Sequence, residues 1–325
     1  MIDELKPWAA VAERVVFVPK TYARTVLNRQ QVMDMLRCSV GDVEELVSAG
    51  LPVGSGEDGP TFDHNDIYNL GTYSERGDTQ PERAFQMLFR FMKAAPDKLI
   101  ESQDWTFRVD ANCAACGRAN DGGDWTFSRP STEGFGGRST LISEDRKPGS
   151  ASVEYVVTNG GRLSPIKAGS LLELSRAFLD MTYQWQMLPS DMQVDYRGVH
   201  ASGVTNCISA SLDLAEQFRG AGFQAAAKRG WFCGVLGGVL ELPHAWVEVV
   251  DSDGVLKVVD IATALLARRQ LGTENFQKLC IGTPFNRVIP STSEADDPVV
   301  RHACVSPSDT QVDVRTQIRR KLNAH

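Results

Sequence analysis

The N-terminal part of the chain has apolar residues at helical spacing, interrupted by turn-forming residues. The spacing predicts one helix over residues 30–37 and a second over residues 40–49, which Gly50 and Pro52 end. A turn-rich segment follows at residues 54–60. These features predict a small helical unit at this end of the chain.

Further along, helical and strand-like stretches alternate. Amphipathic helices are predicted over residues 80–95 and 171–187, and the alternation at residues 153–157 indicates a strand. Residues 130–150 are rich in Gly, Ser and Pro and are predicted to form a loop. Towards the C-terminus, a helix is predicted at 265–271, a linker at 290–298 and a solvated basic helix at 315–322. The segment Gly234–Gly238 is interpreted as a strand.

A helix is predicted to begin at Cys207. The apolar positions that share one face of it are Ile208, Leu212, Ala215 and Phe218. Thr205 or Asn206 suits the N-cap position, and Gly220 or Gly222 ends the helix. Cys207 would then lie in the first helical turn, where the helix dipole and the backbone N–H groups favour a thiolate and can hold an oxyanion.

Two strands are predicted to form a hairpin around Ser252-Asp253-Gly254. The first begins at His244, and its even-numbered residues share one face. A three-residue loop with a left-handed glycine pairs Glu248 with Val258. This register places Asp260 on the face of His244 and within side-chain reach, whereas a two- or four-residue loop would place the two side chains on opposite faces.

Length and composition indicate an ordinary soluble globular protein of one or two domains. The net charge of −7 and the pI near 5.4 argue against a general polyanion binder, because phosphate neutralisation needs clustered Lys and Arg. Residues 1–5 lack the layout of a secretory signal, and the apolar run at residues 230–242 is too short to span a bilayer. We therefore expect a cytoplasmic protein with no membrane partner.

Seven cysteines, an odd number at wide spacing, indicate mostly reduced thiols. Cys113 and Cys116 form a Cys-x-x-Cys pair beside Gly117, which is half of the ligand set of a zinc knuckle. A structural zinc site needs four ligands, and no second Cys-x-x-Cys or His-x-x-x-His follows. The ligand count favours a reduced turn, so no metal and no other cofactor is predicted.

Cys207, His244 and Asp260 occur in an order and in local settings suited to nucleophilic catalysis. A thiol, an imidazole and a carboxylate that meet in space support covalent acyl chemistry. In this hypothesis Cys207 is the nucleophile, His244 the general base and acid, and Asp260 the group that orients the imidazole. Asn206 and Trp246 are weaker candidates for oxyanion and substrate contacts. The alternative is three unrelated structural residues, and their joint occurrence favours catalysis.

Residues 204–262 resemble the core of the transglutaminase-like superfamily, which has a papain-like fold. The strongest match is the pentapeptide His244-Ala245-Trp246-Val247-Glu248. It follows a helix that starts at Cys207 and precedes a second strand, which contains Asp260. The resemblance implies an α+β fold in which the Cys-bearing helix packs on an antiparallel sheet, with a small helical domain at the N-terminus.

The resemblance also implies acyl transfer through a thioester on Cys207, with the acceptor left open. Water would make the protein a peptidase or amidase, an amine would make it a transglutaminase or amide synthase, and a carbanion would make it a carbon–carbon cyclase. The chain is similar in kind to transglutaminase-like proteins of the Dieckmann cyclase type, which release tetramic acids or pyridones from carrier-protein thioesters in bacterial natural-product pathways. The expected partner is an acyl thioester on such a carrier, and the oligomeric state is left open.

The chain is divided into three predicted segments: an N-terminal domain at residues 1–78, a connecting region at 79–164 and the catalytic core at 165–325. The first resembles the winged helix-turn-helix of MerR or excisionase type proteins. Residues 1–75 contain six Lys or Arg and twelve Asp or Glu, and a DNA-binding domain needs the opposite balance. We therefore expect a structural or protein-contact domain without nucleic acid, and keep a transcription regulator with a sensory transglutaminase-like domain as a second alternative.

Overall fold

The computed structural model describes residues 6–119, 124–132, 137–233, 243–269, 274–304 and 312–321. Contacts divide the chain into two compact units, of which the first comprises Met1–Arg90 and Thr182–Ser209. The second comprises Phe91–Met181 and Ala210–His325. The predicted domains follow the chain in order, whereas these units interleave; the role of each predicted domain stays a prediction.

The helices and strands are numbered along the chain. The first third contains α1 (Trp8–Ala12), β1 (Thr25–Asn28), α2 (Arg29–Leu36), α3 (Val40–Ser48), β2 (Gly54–Gly56), β3 (Gly59–Asp63), α4 (His64–Thr72), α5 (Gln80–Leu88), a 3-10 helix (Arg90–Lys93) and α6 (Pro96–Ile100). The middle contains β4 (Gln103–Cys113), α7 (Ala114–Ala119), β5 (Asp124–Phe127), β6 (Arg138–Lys147), β7 (Ser150–Asn159), α8 (Gly169–Asp180), β8 (Gln184–Trp185), α9 (Ser190–Gln193), α10 (Tyr196–Ala201) and β9 (Val204–Thr205). The last part contains α11 (Cys207–Gly220), β10 (Ala225–Phe232), β11 (Pro243–Val250), β12 (Leu256–Val259), α12 (Ile261–Arg269), α13 (Glu274–Leu279), β13 (Ile281–Gly282), β14 (Val288–Glu294), β15 (Val300–Ala303) and β16 (Val312–Arg320).

The first unit confirms the two short helices that the sequence predicts. Asn28 and Ser39 begin α2 and α3, and each forms a capping box with the residue three positions on, Gln31 and Asp42. The turn-rich segment forms the β2–β3 hairpin, and the sheet has the order β1-β3-β2. The helices α2 and α3 and the β2–β3 hairpin pack around a core that includes Trp8, Val32, Leu36, Leu46, Phe62 and Leu70. The expected absence of DNA binding stays a prediction.

The second unit contains two larger antiparallel sheets, so the fold is a mixture of helix and sheet, as the sequence predicts. Five strands have the order β13-β12-β11-β10-β14, and four have the order β16-β4-β7-β6. In β7 every second residue is buried, which is the period expected of a strand with one face against a core. That core draws residues from both sheets: Trp105, Phe107, Val153, Tyr155, Val157, Trp231, Ile289 and Ile318.

Three strands form where the sequence predicts a loop, a helix or a linker, and all three lie at sheet edges. Residues 138–147 form β6 where a loop was expected, and residues 312–320 form β16 where a helix was expected. Residues 288–294 form β14 where the linker was expected to begin. In β6 and β16 most residues are exposed and many are polar or charged, so these two sequences lack the apolar period that marks a central strand.

Two predicted helices are shorter than expected. The helix over residues 80–95 is α5 followed by a 3-10 helix, and the helix over 171–187 is α8, which ends at Asp180. The predicted strand at Gly234–Gly238 and the end of the helix at 265–271 lie outside the described residues. Within the part of the chain that the structure describes, no helix combines the length and the apolar character needed to cross a membrane.

Candidate functional site

His244 and Asp260 form a buried hydrogen-bonded pair. Nε2 of His244 lies 2.6 Å from Oδ2 of Asp260, and the side chains are only 4% and 1% exposed. A short hydrogen bond to a carboxylate is strongest where water is excluded, so the imidazole has a fixed orientation. The structure therefore brings together two of the three residues of the predicted triad.

The β11–β12 hairpin has the register that the sequence predicts. Glu248 pairs with Val258, and Gly254 adopts the left-handed conformation with φ 73°. Because side chains alternate between faces, a slip of one residue would carry Asp260 away from His244. The predicted hairpin geometry is confirmed.

Asp260 has a second task at the start of α12. Its Oδ1 accepts a hydrogen bond from the Thr263 N–H at 3.1 Å, and its carbonyl accepts from the Ala264 N–H at 3.0 Å. Asp260 therefore caps the helix with one carboxylate oxygen and binds His244 with the other. The sequence prediction placed it inside a strand, whereas it lies one residue beyond Val259, at the strand–helix junction.

Thr263 is a neighbour of the pair that the sequence analysis missed. Its hydroxyl oxygen lies 3.4 Å from Nε2 of His244, and the residue is buried. The signal that could have found it is Asp260 itself, a good N-cap residue after a strand, because such a cap bonds the third residue of the helix that follows.

Aromatic residues fix the imidazole ring from two directions. Phe232 stacks on His244 with ring centroids 3.8 Å apart and an interplanar angle of 21°. The ring of Trp246 is 6.0 Å away and fully buried, and its indole N–H donates to Glu248 at 3.3 Å. Burial raises the pKa of Glu248, and the hydrogen bond from Trp246 opposes that rise. Trp246 thus packs within the sheet, and a substrate contact by it stays a prediction.

Cys207 is the first residue of α11, as the sequence predicts. Asn206 is the N-cap: its Oδ1 accepts from the N–H groups of Ile208 at 3.1 Å and Ser209 at 2.9 Å. The Ser209 hydroxyl in turn accepts a hydrogen bond from the Asn206 N–H at 2.9 Å. These two first-turn N–H groups are used by the cap, and an oxyanion role for Asn206 stays a prediction.

The three residues of the predicted triad are divided between the two compact units. Cys207 is half-buried and falls in the segment Thr182–Ser209 that groups with the first unit, whereas His244 and Asp260 belong to the second. A meeting of the Cys207 sulfur with the His244 ring stays a prediction.

Two other thiols are poor nucleophile candidates on electrostatic grounds. Burial, together with the charge of Asp42, raises the pKa of Cys38 to about 11. Burial and the charge of Asp260 raise the pKa of Cys280 well above its ordinary value. Both side chains are therefore protonated thiols at neutral pH.

A second group of reactive side chains corrects the ligand count made on the sequence. His302 and Cys304 lie beside Cys113 and Cys116, and one ligand atom from each lies within 4.8 Å of the other three. The sequence analysis counted only two ligands, and this count was wrong. His302 is 186 residues from Cys116 in the chain, so no local motif contains both. The missed signal is the His-x-Cys spacing, which places two side chains on one face of a strand.

No protein-family model and no curated protein matches the chain. A solved structure to which it is similar is described as "a Putative Cysteine Protease" from Cytophaga hutchinsonii, with 11% identity and a TM-score of 0.33 over 68% of this chain and 98% of that chain.

Proposed function

We propose that the protein is a cysteine-dependent enzyme that transfers acyl groups through a thioester on Cys207. The observation that supports this most is the buried His244–Asp260 pair, with its 2.6 Å hydrogen bond. A buried carboxylate gives little net stability even when it is paired, because the cost of removing its charge from water offsets most of the attraction. A catalytic task is the better reason for placing this pair in the interior.

The roles follow from which ring nitrogen Asp260 contacts. Asp260 accepts from Nε2 of His244, so the ring exchanges its second proton at Nδ1. In the proposed cycle Nδ1 takes the thiol proton as the Cys207 sulfur attacks an acyl carbonyl. The tetrahedral intermediate then expels its leaving group, which takes the proton back from Nδ1, and a thioester remains on Cys207. In the second half of the cycle the acceptor gives a proton to Nδ1 and attacks the thioester carbonyl. The carbon–sulfur bond then breaks, the acyl group stays on the acceptor, and the Cys207 sulfur takes the proton back from Nδ1.

The identity of the acceptor is the finer part of the proposal. By its resemblance to the Dieckmann cyclase type, the chain would close a ring on a carrier-bound acyl thioester, with a carbanion of the substrate as acceptor. Water or an amine as acceptor gives the two alternatives, a hydrolase and an amide-forming enzyme. Product masses distinguish the three, since the cyclic product is lighter than the hydrolysed acid by one water.

Intact-mass spectrometry with small acyl thioesters tests the proposal. We expect an acyl adduct on the wild-type chain and on Cys38→Ala, which removes a half-buried thiol elsewhere. Cys207→Ala should form none, and His244→Ala should acylate at least a hundredfold more slowly, as loss of a general base requires. An adduct that persists on Cys207→Ala, or full-rate acylation of His244→Ala, would overturn the proposal.

A further inference from the structure

The structure assigns a zinc-binding site to Cys113, Cys116, His302 and Cys304, a proposal that is independent of the chemistry at Cys207. All four lie in the second compact unit, and their ligand atoms converge on one point between β4, α7 and the end of β15. The proposed ion is structural, with all four ligands supplied by the chain.

Three of the six distances between ligand atoms match the edges of a tetrahedral zinc site, and the other three are no longer than 4.8 Å. The Sγ atom of Cys304 lies 3.6 Å from that of Cys113 and 3.7 Å from that of Cys116. Nε2 of His302 lies 3.2 Å from Sγ of Cys116. With zinc–sulfur bonds of about 2.3 Å, a regular tetrahedron has sulfur–sulfur edges of about 3.8 Å. The observed separations therefore correspond to edges around a metal ion and are far longer than a disulfide bond of about 2 Å.

The second nitrogen of His302 is already fixed by the fold. Nδ1 lies 3.2 Å from the backbone carbonyl of Asp124, which only accepts, so Nδ1 carries the proton. That tautomer leaves the lone pair on Nε2, the atom that faces the sulfurs. Zinc-binding histidines are held in this way by a carbonyl or carboxylate behind the ring. Trp125 stacks on the ring with centroids 3.8 Å apart and prevents rotation.

The Cys-x-x-Cys turn is held in place by the β6–β7 hairpin. The Cys113 N–H donates to the Gly149 carbonyl at 2.6 Å. Gly149 has φ 72°, and a Cβ there would lie only 2.3 Å from the Gly117 nitrogen. The hairpin turn therefore packs directly on the backbone that presents the two cysteines.

The chemistry of the ligands selects the metal. Three thiolates and one imidazole in a tetrahedron favour zinc and disfavour magnesium and calcium, which prefer oxygen ligands. Four protein ligands leave no position for water or substrate, which is the pattern of structural rather than catalytic zinc.

An ion at this position would connect distant parts of the chain. Cys113 and Cys304 are 191 residues apart, so the ion would link the end of β4 to the end of β15. Since the unfolded chain does not preassemble such a site, the binding free energy of the metal adds to folding stability. We expect the apparent melting temperature to fall by several degrees when the ion is removed.

Metal analysis of the full-length protein tests the proposal. Protein purified without chelators should contain about one zinc per chain by elemental mass spectrometry, and Cys38→Ser and Cys207→Ala should contain the same amount. Cys116→Ser and His302→Ala should lose most of it. Retention of zinc in Cys207→Ala separates this proposal from the failure or success of the proposed acyl chemistry.

A second measurement covers the case in which the ligand variants do not fold. Wild-type protein, stripped with a chelator under reducing conditions, should bind one cobalt(II) with the visible absorption of a tetrahedral thiolate complex, and one equivalent of zinc should displace it. Wild-type protein that contains no zinc and binds no cobalt would overturn the proposal. A disulfide between Cys304 and Cys113 or Cys116, found by peptide mapping of protein purified without reductant, would also overturn it.

Discussion

At the scale of single residues, Asp260 has two structural roles: it caps a helix and it orients His244. One oxygen caps α12 through the Thr263 N–H, and the other holds Nε2 of His244. The helix N-terminus favours negative charge at its cap, so the cap also supports the carboxylate that the histidine needs. The orientation of the imidazole therefore depends on the start of a helix as well as on the hairpin.

Asp260→Asn separates the two roles. Asparagine caps a helix as well as aspartate does, so the melting temperature should change little. Its amide N–H₂ can donate to Nε2 of His244 only when Nε2 is unprotonated. The neutral ring then carries its proton on Nδ1, so Nδ1 cannot accept the thiol proton. We expect the rate of Cys207 acylation to fall by about three to four orders of magnitude. The matched control is Asp180→Asn, which alters an exposed ion pair and should leave the rate unchanged.

At the scale of elements, β11 owes its position to a close approach that only glycine allows. Gly230 pairs with His244 across β10 and β11. A Cβ there would lie 2.1 Å from the Ile289 carbonyl oxygen and 2.5 Å from the Trp246 ring. Within this sheet, Gly230 of β10 therefore lies between the β14 backbone and the Trp246 ring of β11, with no room for a methyl group.

Gly230→Ala should lower the free energy of unfolding by about 2 kcal/mol or more, because backbone and a buried indole must both move. Gly220→Ala is the control, since a Cβ at that helical position meets nothing within 4 Å. Its effect should stay within about 1 kcal/mol and be stabilising if anything. Equal losses for both variants in urea unfolding would contradict the packing argument.

A buried carboxyl in α4 should give the stability a pH dependence. Oδ1 of Asp66 accepts from the Val18 N–H at 2.8 Å, while its other oxygen is buried without a hydrogen-bond partner among the described residues. Burial raises its pKa to about 7. Between about pH 4 and 7 the folded state therefore keeps a proton that the unfolded state has lost, so this group makes stability fall as the pH rises through that range.

Asp66→Asn should remove this part of the slope in urea unfolding measured across the same pH range. Asp58→Asn, at an exposed position in the β2–β3 turn, should leave the slope as it is. A slope that is identical in wild type and Asp66→Asn would show that the side chain is ionised in the folded state throughout the range.

At the scale of the whole molecule, the seven cysteines fall into groups of different expected reactivity. Cys233 is fully buried, and the thiols of Cys38 and Cys280 have raised pKa values. Cys113, Cys116 and Cys304 would be protected by the proposed zinc ion. Cys207, half-buried at a helix start, is the remaining thiol.

Competitive alkylation with isotope-coded iodoacetamide at neutral pH measures these differences in one sample. We expect Cys207 to be labelled at least tenfold faster than every other cysteine, and His244→Ala to remove that advantage. A chelator should accelerate labelling of the three proposed zinc ligands and leave Cys207 unaffected. If Cys207 reacts no faster than Cys38, its assignment as nucleophile fails.

The sequence alone determined features whose physical cause is local. Apolar spacing and an N-cap residue place the start of α11 at Cys207, and a three-residue turn with a left-handed glycine fixes the register that brings Asp260 to His244. Both depend on short-range geometry, so neighbouring residues are enough to predict them.

Only the tertiary structure decided the edge strands and the metal ligands. The strands β6, β14 and β16 form because each pairs its backbone with a neighbouring strand. The periodicity of their own sequences does not predict this pairing. His302 reaches the cysteines because β15 pairs with β5, where His302 lies opposite Trp125. Residues 186 positions apart in the chain become neighbours only through such pairing, and for that reason the sequence showed half of the cluster and the structure showed all of it.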